Sequence, residues 1–224
     1  MRAFAALYAQ LDATASSQAK QAAMTAYFLS VPAEDAAWAV YFLAGGKPRQ
    51  LVPTRVLRAF ALESTGLPDW LFDECYQAVG DLAETIALLV GPATPDAPAA
   101  ALVPASPASA GLARWVDERL LPLRGQAPAT VVDRLRADWE GLDSTTRFVC
   151  GKLITGAFRV GVSRLLVTRS LGAVAQVDPK RIAERLVGYT DLSNRPDAAQ
   201  FQRLIASDDP GDPLQVETVG TQPY

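Results

Sequence analysis

The sequence predicts an all-α fold of about ten to twelve helices. Apolar residues recur at three- and four-residue spacing along most of the chain, as one face of a helix requires. No stretch alternates apolar and polar residues convincingly enough to be a strand. Gly, Pro and capping residues punctuate the pattern at helix-length intervals. With 224 residues, half of them hydrophobic, the chain can bury one sizeable core or two small ones.

In chain order, Phe4, Leu7, Tyr8 and Leu11 place an amphipathic helix over 2–13. Ser16 or Ser17 caps a second over 18–30, with Ala22, Ala23, Ala26, Tyr27 and Leu29 expected inward. Pro32 followed by Glu34-Asp35 opens a third, its acids facing the positive end of the helix dipole, and Gly45-Gly46 closes it. Lys47, Arg49, Arg55 and Arg58 follow with no acid among them. A helix begins near Pro53-Thr54, Gly66-Leu67-Pro68 ends it, and a further helix over 69–78 carries Trp70, Leu71, Cys75 and Tyr76. Val79-Gly80-Asp81 turns into a helix ending near Val90, with Asp81 as a cap rather than a metal ligand because no second carboxylate accompanies it. Residues 91–111 hold Pro92, Pro95, Pro98, Pro104 and Pro107 among Ala, Ser, Gly and Thr, the composition of a surface linker. Helices follow over 112–121, 129–140, 143–155 with Ser144 as cap, 163–175, 179–187 started by Asp178-Pro179, and 197–206. The tail, 207–224, has no periodicity and reads as a connector.

Several chemistries are excluded by composition. Histidine is absent, which removes His acid–base catalysis, Ser-His and Cys-His nucleophile pairs and most zinc sites. Cys75 and Cys150 sit in apolar helical settings, as reduced thiols do. No signal peptide and no apolar run of membrane-spanning length is visible, so the expectation is a cytoplasmic protein without a membrane partner. The adjacent acids Glu34-Asp35 and Asp208-Asp209 project apart and suit a helix start and a solvated tail.

The charge is unevenly spread. The chain carries −3 overall, yet residues 147–185 contain eight Lys/Arg and only two acids, Asp178 and Glu184. Such a basic face suits a phosphate backbone. Within it, Lys152 to Val167 reads as a helix end, a turn containing Gly156 and Gly161, and a new helix. A shift of 110 residues superimposes Leu43, Gly46 and Arg49 on Leu153, Gly156 and Arg159, so Leu-x-x-Gly-x-x-Arg occurs twice. This suggests two pseudo-repeated halves, about 1–90 and 112–206. A glycine that closes a helix frees backbone amides, the next helix N-terminus adds its own, and a nearby cation completes a phosphate site. A solvated basic helix hairpin accounts for the same spacing.

The run Lys152-Leu-Ile-Thr-Gly156-Ala-Phe-Arg159-Val-Gly161-Val-Ser163 resembles the characteristic motif of the N-terminal DNA-binding domain of ATP-dependent DNA ligases. Gly80-Asp81-Leu82-Ala83 is similar to that family's Gly-Asp-Leu-Gly segment, and Tyr41-Phe42-Leu43-Ala44-Gly45-Gly46 to its first helix end. Val52-Pro53-Thr54-Arg55 and the Arg119–Arg124 run resemble a bacterial branch whose ligase accompanies a large helicase and a metal-dependent nuclease. Phe158, Ala157 and Ala83 depart from the family's usual Leu, Lys and Gly.

The resemblance implies that residues 1–206 bind nicked double-stranded DNA without reading sequence, in replication, repair or recombination, as a monomer associated with the nucleoid. The implied contacts are Gly46, Lys47, Arg49 and Arg55 in the first half. In the second half they are Lys152, Thr155, Gly156, Arg159, Gly161, Ser163 and Arg164. Ligases attach AMP to the lysine of a Lys-x-Asp-Gly motif, and none of Lys20, Lys47, Lys152 or Lys180 begins one. No P-loop is present either. ATP and Mg²⁺ are therefore implied for a parent ligase and no cofactor for this chain, with catalytic domains expected beyond the connector. The alternative is a helical-repeat scaffold for protein partners, its basic face incidental.

Overall fold

The computed structural model describes residues 1–91 and 110–207, which form twelve α-helices and no strand. The fold is all-α, as the periodicity predicts. The first six helices are α1 (Arg2–Asp12), α2 (Ser17–Ser30), α3 (Ala33–Leu43), α4 (Thr54–Thr65), α5 (Asp69–Val79) and α6 (Leu82–Leu89). The second six are α7 (Leu112–Trp115), α8 (Pro128–Glu140), α9 (Ser144–Thr155), α10 (Arg164–Ala175), α11 (Pro179–Arg185) and α12 (Ala198–Leu204). A π turn over Val116–Leu120 and a 3₁₀ turn over Leu121–Leu123 extend α7.

The packing is built on α3. From Asp35 to Leu43 every residue is buried, which is the environment a helix apolar on all sides needs. Ala36, Ala37 and Ala39 are completely covered, so neighbouring helices approach its backbone closely. Asp35 is buried as well, and its carboxylate accepts the Ala113 amide at 2.9 Å. One of the two acids expected to serve only the dipole of α3 thus also caps α7, from the far side of the linker.

The helix contacts are reciprocal. α2 packs on α10, and α8 on α4. α6 packs on α9, and α12 on α3; α1 packs on α9, and α7 on α3. Matching α1–α6 in order with α7–α12 turns each contact into another in this set. The halves therefore exchange helices, and one contiguous hydrophobic core runs through both. The two glycines of the Leu-x-x-Gly-x-x-Arg motifs differ in conformation, since Gly156 has positive φ and Gly46 does not. The positive-φ residue that ends the first turn is Gly45 (φ 96°), whereas in the second it is Gly156 (φ 70°).

Other expectations need correction. α2 buries Lys20, Met24, Tyr27 and Phe28 and leaves Leu29 outside, because α1 and α10 flank a different stripe from the alanine-rich one. Asp143, not Ser144, caps α9, accepting the Thr146 amide at 2.9 Å. Trp38, Trp115 and Trp139 are core residues, but Trp70 is 66% exposed, since α5 buries only Phe72. Arg58 is not an unopposed cation: it pairs with Asp73 and Asp69 and lies over the Phe72 ring. Of the linker, residues 92–109 lie outside the described residues, as do 208–224 of the connector. Among the described residues no helix is long and apolar enough to cross a membrane.

Candidate nucleic-acid interface

The two glycine turns lie side by side. A Cβ built on Gly156 would sit 3.8 Å from Lys47 Cδ, so the first turn touches the second. A hollow of about 260 Å³ runs between Phe42–Gly45 on one side and Phe158–Val162 with Arg164 on the other. A neighbouring hollow of about 230 Å³ is lined by Gln50, Thr54, Tyr76, Gly80, Asp81 and Thr155, among others. The elements that place these turns are the two reciprocal helix ends, α3 into α4 and α9 into α10.

The second turn is held from beneath. Lys20 Nζ donates to the carbonyls of Val160 at 2.9 Å and Gly161 at 3.0 Å. Tyr8 Oη donates to the Arg159 carbonyl at 3.4 Å. The Phe158 ring stacks on Phe4 at 5.4 Å and meets Tyr8 edge-on at 5.3 Å. The aromatic residue that departs from the resembled motif is thus the anchor of the loop. With three consecutive carbonyls tied inward, the Arg159 side chain is left exposed. Gly161 has φ 61°, and a Cβ there would lie 2.8 Å from Lys20 Nζ. A side chain there would be strained by the positive φ and would displace Lys20 Nζ from its carbonyl partners.

Both following helices begin at this surface. In α4 the Val56 and Leu57 amides bond to the Pro53 carbonyl, and in α10 the Leu166 and Val167 amides bond to the Ser163 carbonyl. The preceding pairs, Thr54 with Arg55 and Arg164 with Leu165, find no backbone or side-chain acceptor among the described residues. Two unpaired amides at the positive end of a helix suit an anion.

The expected contact residues divide into two groups. Lys47, Arg49, Arg55 and Arg159 are exposed, and no acid among the described residues pairs with any of them. Arg164 is exposed too, though its guanidinium donates to the Leu186 carbonyl at 2.6 Å. Gly156 and Gly161 supply positive-φ backbone. The others have structural duties. Gly46 is buried, and a Cβ on it would meet the Tyr41 carbonyl at 2.7 Å, so it allows a close internal approach. Thr155 Oγ1 donates back to the Gly151 carbonyl at 3.0 Å, and Ser163 Oγ accepts the Leu166 amide as the cap of α10.

Lys152 is the clearest departure. It is buried, its Nζ is 2.7 Å from Asp81 Oδ2, and it lies 5.1 Å from the Phe148 ring centroid. Asp81 also accepts the Glu84 amide at 2.9 Å and so caps α6. Burial raises the Asp81 carboxyl, but the Lys152 ammonium and the backbone amides outweigh it and hold the group below the usual carboxylate range. Arg147 is likewise buried, donating to the Trp139 and Val90 carbonyls at two helix ends. The basic face is therefore narrower than the charge count over 147–185 implies.

Lys20 and Tyr8 were not read from the sequence as site residues. A signal for Lys20 existed: it stands four and seven residues before Met24 and Tyr27, in phase with the core. A lysine in that phase must have a buried partner.

A family model described as DNA ligase N terminus matches residues 1–172. The match takes in both glycine turns and ends inside α10. No curated protein matches the chain.

Proposed function

The chain belongs to the DNA ligase N-terminus family, and from that premise we propose that it grips nicked double-stranded DNA by its phosphates. Sealing is then left to a catalytic core elsewhere in an ATP-dependent parent ligase. The observation that carries this reading is the meeting of two basic turns at one surface. Lys47 and Arg159 flank the junction without acidic partners among the described residues, and α4 and α10 begin with free amides beside the two adjoining hollows. Cations and amides of this kind take backbone oxygens and carry no base preference.

An adenylation site needs an accessible lysine within Lys-x-Asp-Gly, and neither that motif nor a substitute occurs in this sequence. ATP and Mg²⁺ accordingly belong to the parent's other domains, and the chain acts as a monomer on duplex DNA during replication, repair or recombination in the bacterial cytoplasm. Titrating nicked duplexes of two unrelated sequences, by fluorescence anisotropy at low and moderate salt, tests the reading. Similar affinities that fall together with salt support it. Absence of salt-dependent binding to either duplex would favour the helical scaffold for protein partners.

A further inference from the structure

Three arginines from distant parts of the chain converge at a second place. Arg49 follows the first turn, Arg124 ends the π and 3₁₀ extension of α7, and Arg195 lies before α12. They line a hollow of about 350 Å³ whose lining includes no acid. Trp38 and Tyr41 of α3 form part of its wall. The Trp38 side chain is 2% exposed, and its indole N–H lies toward the Asp117 carboxylate without forming a well-aligned hydrogen bond. Ser193 adds an exposed hydroxyl.

The arrangement is fixed at two points. Arg124 Nη2 donates to the Arg49 carbonyl at 3.0 Å, which ties the end of the extension to the first turn. Asn194 bonds to the Tyr189 carbonyl and to Gln200, which holds the segment bearing Arg195. Asp117 stands close enough to Trp38 and Arg195 to be influenced by both, and it offsets part of the Arg195 charge. That leaves Arg49 and Arg124 without any acidic partner among the described residues.

We propose that this hollow is a phosphate-binding site in which the guanidinium groups of Arg49, Arg124 and Arg195 close on one phosphate group, with the Ser193 hydroxyl as a neutral donor and Trp38 as a reporter in the wall beside it. Three planar forks around one space match the tetrahedral set of oxygens that a phosphate group presents, which a planar carboxylate lacks. The site shares Arg49 with the duplex surface but does not depend on that reading. Arg195 lies beyond the stretch that the ligase family model matches. The phosphate comes either from the backbone of bound DNA or from a free oligophosphate.

The test follows the assigned ¹⁵N–¹H resonance of the Trp38 indole while pyrophosphate is added at constant ionic strength. In parallel, anisotropy measures how the affinity for a nicked duplex depends on salt. Arg195→Gln removes one cation, and Ser193→Glu keeps every arginine but sets a carboxylate in the hollow, so that misfolding of one variant does not decide the outcome. A saturable Trp38 shift that weakens roughly tenfold or more in both variants, the scale of losing a charge-assisted hydrogen bond, supports a free oligophosphate. A duplex salt slope reduced by about one in Arg195→Gln supports a backbone phosphate. If neither response depends on Arg195 and Ser193, the proposal is overturned. Lys47→Ala with Arg159→Ala removes duplex binding through the two turns and leaves the pyrophosphate response intact, so the two readings fail separately.

Discussion

A lysine as buried as Lys152 has to be paired, and its partner Asp81 is already the cap of α6. The pair therefore joins α6 to α9 across the two halves of the chain. Lys152→Met would leave that carboxylate partly buried without its cation, at a cost of about 1–3 kcal/mol. Urea unfolding at neutral pH checks this: the midpoint should fall while the salt dependence of DNA binding stays near that of the parent chain. The Asp81 carboxyl is held below its ordinary value, so its stabilising contribution is present above the unfolded-state pKa. It is lost as pH falls through the lower, folded-state value. Asp81→Asn should accordingly lower the plateau at and above neutral pH and flatten the acid limb, so that the difference from the parent chain shrinks as pH falls. Gly161 makes the opposite kind of demand. Gly161→Ala combines positive φ with a Cβ pressed onto Lys20 Nζ and should lower stability by about 1–3 kcal/mol. Gly45→Ala, also at positive φ but with open space around it, should cost about 1 kcal/mol. Thermal melts of the two variants side by side measure the difference. At this scale what the sequence made legible is that Lys47, Arg49, Arg55 and Arg159 are exposed and face no acid among the described residues. The sequence was not legible for Lys152, because nothing within its own helix announces a carboxylate in α6.

At the scale of elements, periodicity and punctuation located the helices, since burial of one stripe and the cost of Pro and Gly inside a helix act locally. The errors have non-local causes. The buried stripe of α2 is chosen by α1 and α10, and the exposure of Trp70 follows from how little of α5 is covered. The junction of the turns was hidden for the same reason. The sequence suggests two similar turns, one in each half, whereas the packing of α3 and α9 brings both turns to one surface with Lys47 against Gly156. Because Lys20 holds the carbonyls of Val160 and Gly161, the second turn should loosen when that lysine is removed. Lys20→Met is expected to increase amide hydrogen exchange over 158–163 and to weaken duplex binding, although the side chain is buried and cannot reach DNA.

For the whole molecule the decisive feature is the reciprocal exchange of helices. Because α2, α4 and α6 pack on α10, α8 and α9, each half has apolar helix faces that only the other half covers, and the core is shared. Residues 1–91 or 110–207 expressed alone should lack a cooperative thermal transition by circular dichroism, and mixing the two should restore one. The same exchange gives the surface its function in this account, since it sets two basic turns and two helix starts against each other. The most direct test is the salt dependence of nicked-duplex affinity in Lys47→Ala/Arg159→Ala compared with the parent chain. Each lost phosphate contact should remove about 0.9 from the slope of log affinity against log salt, so the double variant should bind more weakly with a slope shallower by about two. A slope and affinity equal to those of the parent chain would contradict the claim that these turns hold the DNA.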